Sequence, residues 1–137
     1  MTIKRLDTLS VEINAKPEDV WTFIAGVRNW KQFSDFSKNM DQIDEREWVA
    51  HTDQGDIHVY TFFDAEHLTL DQVVSLPNGD EQLIPYRIIP KPASSTLMMT
   101  NQQTTNVSDA EYAQQNGWIQ QELDTVKKIM ETKPQVS

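Results

Sequence analysis

The chain has 137 residues, with 12 Lys and Arg against 21 Asp and Glu and a net charge of −9. That balance argues against binding nucleic acid or an anionic membrane surface, both of which need arrayed cations. Cysteine is absent, which excludes a disulfide framework, a thiolate metal site and a cysteine nucleophile. No apolar run approaches the roughly 20 residues of a membrane span, and MTIKRLDTLSVEI at the start lacks the apolar stretch of a secretion signal. The expectation is one cytoplasmic domain over residues 1–137, in which the sequon Asn106-Val107-Ser108 stays unused.

Leu9–Asn14 alternates apolar and polar residues, the period of a strand with one buried face. Pro17 stops the ladder and suits the first position of a helix, with Glu18 and Asp19 favourably placed in its first turn. Val20, Phe23, Ile24 and Val27 follow at helical spacing, and Gly26 marks the end. A second short helix, Arg28–Phe33, would carry Trp30 and Phe33 inward. The middle reads as strands Lys38–Arg46, Trp48–Thr52, Ile57–Asp64, Leu68–Leu76, Leu83–Pro90 and Thr96–Asn106. Gln54-Gly55 and Asn78-Gly79 are turn signals, the second a strong two-residue hairpin signal. Connections this short require antiparallel neighbours.

The period then changes. Ser108-Asp109-Ala110-Glu111 is a capping-box pattern, and Tyr112, Ile119, Leu123, Val126 and Met130 fall on one stripe of a helix of about 24 residues, about 36 Å long at 1.5 Å per residue, ended by Pro134. A long helix with one apolar stripe needs a large partner surface, and the sheet supplies it. The expected fold is α+β: strand, two short helices, six strands and a long helix, a seven-stranded curved antiparallel sheet wrapped on the last helix. Val11, Ile13, Val20, Ile24, Ile119, Leu123 and Val126 are the expected core.

VEINAKPEDVWTFI, Leu70-Asp71-Gln72-Val73-Val74, Pro85-Tyr86-Arg87-Ile88-Ile89-Pro90 and VSDAEYAQQNGWIQQELDTVKKIME together resemble the START/pollen-allergen (SRPBCC) superfamily, in particular its small bacterial polyketide cyclase/dehydrase-like branch. The resemblance covers nearly the whole chain, and its motifs are structural rather than catalytic. It implies a helix-grip fold with a cavity between sheet and long helix that holds a small hydrophobic molecule.

Among residues that carry chemistry, the histidines come first. With Gln54-Gly55 central in a turn, Thr52 faces Ile57 and His51 faces His58, with Cβ atoms about 4.5–5.5 Å apart. A zinc site needs three or four ligands, and only Asp53 or Asp56 is nearby, so no metal site is expected. With Asn78-Gly79 central in the next turn, Asp71 falls opposite Tyr86 and Leu70 opposite Arg87, which puts Asp71 and Arg87 on opposite faces. The face of Leu70, Val74, Leu76 and Leu83 is the more apolar and is expected inward, with Asp71 outward. In Leu97–Thr105 either face brings Met and then amides toward the core. Gly117, inside the long helix, costs about 1 kcal/mol against Ala and implies a close backbone approach or a bend. No phosphate loop, dinucleotide fingerprint, nucleophile elbow or zinc-protease motif is present. No residue is given a catalytic role and no cofactor is expected.

The leading functional expectation is a carrier or sensor of a small hydrophobic molecule. The pocket would lie between the long helix and the sheet, opened by the small residues Thr100, Ala113 and Gly117. Its lining would come from Trp48, Tyr60, Phe62, Tyr86, Arg87, Met99, Asn101, Tyr112 and Trp118. The alternatives are a cyclase or dehydratase on a polyketide-like or aromatic substrate, using Asp71, Tyr86 and Arg87, and a protein-interaction module like the heat-shock ATPase activators of the same superfamily. Either a monomer or a homodimer fits.

Overall fold

A computed structural model of the protein describes residues 3–34 and 39–132; the strand start expected at Lys38 and the helix stop expected at Pro134 lie outside the described residues. Strand β1 (Ile3–Ile13) leads into helix α1 (Pro17–Ala25) and a 3₁₀ helix (Val27–Gln32). Six strands follow: β2 (Met40–Gln42), β3 (Glu47–Thr52), β4 (Gly55–Asp64), β5 (Thr69–Ser75), β6 (Glu81–Pro90) and β7 (Ser95–Thr104). Helix α2 (Asp109–Thr132) closes the order. The strands form one seven-stranded sheet in the order β1-β7-β6-β5-β4-β3-β2, with every described pairing antiparallel. This is the helix-grip arrangement. Because β1 and β2 are opposite edges of the sheet, α1 and the 3₁₀ helix lie on the path that carries the chain from one edge to the other.

Local chemistry accounts for the element ends. Pro17 opens α1, with Glu18 and Asp19 in its first turn, where the missing proline N–H and the negative charges both suit a helix start. The carbonyls freed at the end of α1 are taken by the 3₁₀ helix: the Trp30 indole N–H donates to Ile24 O at 2.8 Å and the Asn29 amide to Phe23 O at 3.0 Å. The capping box of α2 forms in both directions, Glu111 N–H to Ser108 Oγ at 3.1 Å and Ser108 N–H to the Glu111 carboxylate at 3.3 Å.

Strand β1 starts six residues before the expected Leu9, because its first part is an edge held by the ladder to β7 and its side chains, exposed on both faces, show no period. Strand β2 covers only part of the expected Lys38–Arg46. The Asp44 carboxylate accepts the N–H groups of Arg46 and Glu47 at 2.9 and 2.8 Å, which closes a turn and ends the strand.

Both hairpin registers differ from expectation. Thr52 pairs with Gly55, and Gly55 takes φ +121°, so the turn residues are Asp53-Gln54 and Gly55 enters the strand. His51 therefore faces Asp56, a shift of two residues that leaves each side chain on its expected face. The Asn78-Gly79 turn is one residue longer than expected: Leu76 N–H bonds Asp80 O at 2.8 Å and Gly79 takes φ +91°, the three-residue loop with a left-handed glycine. A one-residue change moves side chains to the other face of the partner's register. Leu70 pairs with Tyr86 and Thr69 with Arg87, so Asp71 and Arg87 share the outer face. Leu83 is exposed outward with them, while Leu70 and Val74 are buried and Leu76 is half-buried.

Ile13, Val20, Phe23, Ile24, Leu70, Ile88, Leu97, Met99, Ile119, Leu123, Val126 and Met130 form one continuous core, with Val11 partly buried against it. Leu123, at the centre of the α2 stripe, is 1% exposed. Leu123→Ala should lower the unfolding free energy by about 2–5 kcal/mol, as a buried large-to-small change does; urea denaturation of the variant measures it, and a loss below about 1 kcal/mol would contradict the packing described.

Candidate ligand pocket

Helix α2 is committed to the β1 and β7 side of the concave face. The buried Tyr112 hydroxyl donates to Asn101 O at 3.0 Å, and the Asn101 amide donates to Asn116 Oδ1 at 2.9 Å. The Gln103 amide reaches Val107 O and Asp109 Oδ1, both at 2.9 Å. These amides seat the helix start, and Ile119, Leu123, Val126 and Met130 then fill the space against β1, β6 and β7. These side chains stand where the cavity was expected. The small residues do not open it either. Ala113 and Gly117 lie on the exposed side of α2, a Cβ at Gly117 would meet nothing within 4 Å, and Thr100 points outward and bonds the Thr8 hydroxyl at 3.0 Å. The helix runs unbroken past Gly117, and no contact explains that glycine.

A cavity lies instead beneath α1 and the 3₁₀ helix, over β5 and β6. Ile24, Trp30, Phe33, Ser34, Leu70, Gln72 and Tyr86 line it, and its volume is about 20 Å³, which suits a water or two by size. Two of its walls are polar side chains, Ser34 and Gln72. Ser34 is 5% exposed and its hydroxyl has no hydrogen bond. Gln72 is 6% exposed and its amide makes no hydrogen bond among the described residues. Behind Gln72, directly across the β4–β5 ladder, the fully buried Thr61 hydroxyl is also unpaired. A buried polar atom left unpaired costs about 1–3 kcal/mol, and two of them, Ser34 Oγ on the cavity wall and Thr61 Oγ1 behind Gln72, mark a place where something else completes the bonding. Tyr86 is the ionisable residue of the lining among the described residues. Burial, aided by the charge of Glu122 on α2, pushes its hydroxyl well above the ordinary tyrosine range, so it is present there as a neutral phenol.

No family model matches the sequence and no curated protein matches it, but solved structures do. The protein XoxI from Bacillus cereus is 15% identical and superposes with a TM-score of 0.74 over 93% of this chain and 96% of its own. A START superfamily protein from Mycobacterium smegmatis is 12% identical, with a TM-score of 0.72 over 92% of this chain and 97% of its own. The di-domain ARO/CYC BexL from the BE-7585A biosynthetic pathway is 15% identical, with a TM-score of 0.69 over 95% of this chain and 48% of its own. The fold is START-like. At these identities the likeness carries the architecture, shared with the polyketide cyclase-like proteins, and no further.

Within this START-like fold the expected site residues are dispersed. Tyr86 lines the cavity. Trp48 is buried one layer behind it, 5.4 Å from the Trp30 ring and 6.4 Å from Phe63. Met99 is core, and Asn101 and Tyr112 serve the seating of α2. Tyr60, Phe62 (48% exposed) and Arg87 lie exposed on the outer face, and Trp118 (56% exposed) lies on the outside of α2. These four stand away from the cavity, because the β4 strand buries Val59 and Thr61 and so turns Tyr60 and Phe62 outward, and the β6 register turns Arg87 outward. Ile24, Trp30, Phe33, Ser34, Leu70 and Gln72 are lining residues absent from the expected set. Gln72 was detectable: it sits between Leu70 and Val74 on the apolar face, a polar residue on the buried side of a strand.

Outside the cavity, His51 bridges the β2 edge. Its Nδ1 lies 2.9 Å from Asp56 Oδ1 and its Nε2 2.8 Å from Asp41 Oδ2, while His58 stands 3.3 Å from Glu47. Among the described residues no three such side chains are placed to hold a metal. The hydrogen bond to Asp56, then that to Asp41, raises the His51 pKa from its ordinary value. A raised folded-state pKa means that the protonated ring stabilises this edge. The contribution is full below the ordinary histidine value, about 6.5, and is lost as pH rises through the raised one. In an NMR titration the His51 midpoint should lie above 6.5, and Asp56→Asn should lower it; an unmoved midpoint in that variant would show that the bridge does not act on the ring.

Proposed function

We propose that the chain binds a small, mainly apolar molecule in the cavity beneath α1 and the 3₁₀ helix, as a carrier or sensor. The observation that carries this reading is the pairing of an apolar lining (Ile24, Trp30, Phe33, Leu70, Tyr86) with two polar side chains, Gln72 and Ser34, the second with its buried hydroxyl unpaired. An apolar wall with a few polar groups is the usual make-up of a small-molecule site. The START-like architecture supports it. Drug-sized ligands occupy about 300–1,000 Å³, so the cavity must widen on binding. Phe33 is the group placed to yield: it is half-buried at the end of the 3₁₀ helix, with its ring 5.8 Å from Phe23. A cysteine-free chain also fits the cytoplasm, where disulfides are rare.

Catalysis by a carboxylate is less well supported, since Asp71 lies on the outer face. A protein-interaction role is favoured by one observation: Tyr60, Val73 and Leu83 stand directly opposite one another across three outer-face strands, with Tyr60 and Leu83 exposed. One experiment separates the two sites. The neutral dye Nile red should bind saturably at micromolar concentration with a blue-shifted emission. Ser34→Phe, which fills the cavity, should abolish binding, and the outer-face double variant Tyr60→Ser, Leu83→Ser should leave it intact. Binding that survives the first variant and is lost in the second would transfer the site to the outer face.

A further inference from the structure

We infer that the ligand presents an uncharged head group that both donates and accepts hydrogen bonds, a hydroxyl or a hydroxyl-bearing carbonyl on an apolar body, and that Gln72 and Ser34 read it. The inference rests on the cavity being the binding site and adds the chemical class of what it takes.

Among the described residues the lining contains no cation and no carboxylate. A charged head would lose its hydration with nothing to replace it, and an anion would in addition meet the field of Glu122, which already acts on Tyr86. The polar groups that are available are of one kind. A primary amide offers an oxygen acceptor and two N–H donors, and a hydroxyl offers one donor and two acceptor lone pairs. Neither is spent within the protein: Ser34 Oγ is unpaired and the Gln72 amide has no partner among the described residues.

Their positions are also held. Ser34 N–H bonds Trp30 O at 2.8 Å, and the Trp30 indole is tied in turn to Ile24 O at 2.8 Å. Gln72 sits mid-strand between β4 and β6, opposite Thr61 and Ile84. The Thr61 hydroxyl, unpaired and directly across the ladder, is in place to hold the amide once its outer end is engaged. Donor and acceptor thus face the cavity from a strand and from the end of a helix, while rings and aliphatic chains supply the rest of the wall. A site that is built to hydrogen-bond a hydroxyl discriminates against the analogue that lacks it, because its buried polar groups are then left unpaired.

The test is a matched probe series at pH 7: naphthalene, 2-naphthol, 2-naphthoate and 2-naphthylmethylammonium, followed through the Trp30 indole N–H resonance and by calorimetry. The expected result is that 2-naphthol binds about tenfold or more tightly than naphthalene, the worth of one or two net hydrogen bonds, and more tightly than either ion. Gln72→Met and, separately, Ser34→Ala should bring 2-naphthol down toward naphthalene while leaving naphthalene unchanged; the second variant removes a single atom and guards against loss of fold in the first. Equal binding of naphthalene and 2-naphthol would show that a bound water, not a ligand, completes Ser34 and Gln72. Tightest binding of an ion would overturn the neutral head group. Both of these results would leave the apolar site standing, whereas no binding by any of the four would remove the site itself.

Discussion

The ladder between β1 and β7 joins residues 92 positions apart, as at Thr8 and Thr100, and the concave face of the sheet is arranged around it. At the end of β1 the helix that follows β7 is tied back to the chain's beginning. Lys127 Nζ donates to Glu12 O at 2.7 Å, the Glu131 carboxylate accepts Asn14 N–H at 2.8 Å, and the buried Ser95 hydroxyl donates to Ala15 O at 2.8 Å. At the other end Tyr112, Asn101 and Gln103 fix the start of the same helix. Helix α2 is thereby held at both ends over one side of the sheet, and its apolar stripe is used up there.

The remaining sheet must be covered by what the topology makes available. The chain passes from the β1 edge to the β2 edge through a nine-residue helix and a six-residue 3₁₀ helix. Short elements cannot close a curved surface as completely as a long one, so the gap in the packing falls beneath them, over Leu70, Gln72 and Tyr86. The placement of the cavity is thus a consequence of where α2 is anchored. Its chemistry follows from which strand residues happen to face it: β5 contributes Leu70, Gln72 and Val74 to the buried side, and only the middle one is polar.

The outer face answers to different demands. Asp71 and Arg87 lie on it, and Arg46 stands 5.9 Å from the Phe62 ring in a cation–π contact, so part of its apolar surface is covered by a charged side chain while Tyr60 and Leu83 stay open. Much of the chain's acidity is spent in exposed hydrogen-bonded pairs such as Glu12 with Lys91 at 2.6 Å and Asp64 with His67 at 2.9 Å. Pairs of that kind contribute little to stability, and an acidic surface keeps the molecule soluble.

By itself the sequence determined the elements whose signals are local. Pro17 and the Ser108–Glu111 box start helices because they satisfy or dispense with free N–H groups, and the stripe from Tyr112 to Met130 declares a helix because burial on one side demands that period. The START-like resemblance was legible for the same reason, being carried by strand and helix patterns. The site was not legible, because it depends on quantities that no local pattern contains. A single extra residue in the Leu76–Asp80 turn decided that Asp71 and Arg87 share the outer face. The anchoring of α2, at Glu12 through a contact 115 positions apart and at Asn101 and Gln103 through nearer ones, decided which side of the sheet it covers. Ser34 became a candidate ligand group only in three dimensions, since an unpaired hydroxyl can be recognised only once every neighbour that might have paired with it has been placed.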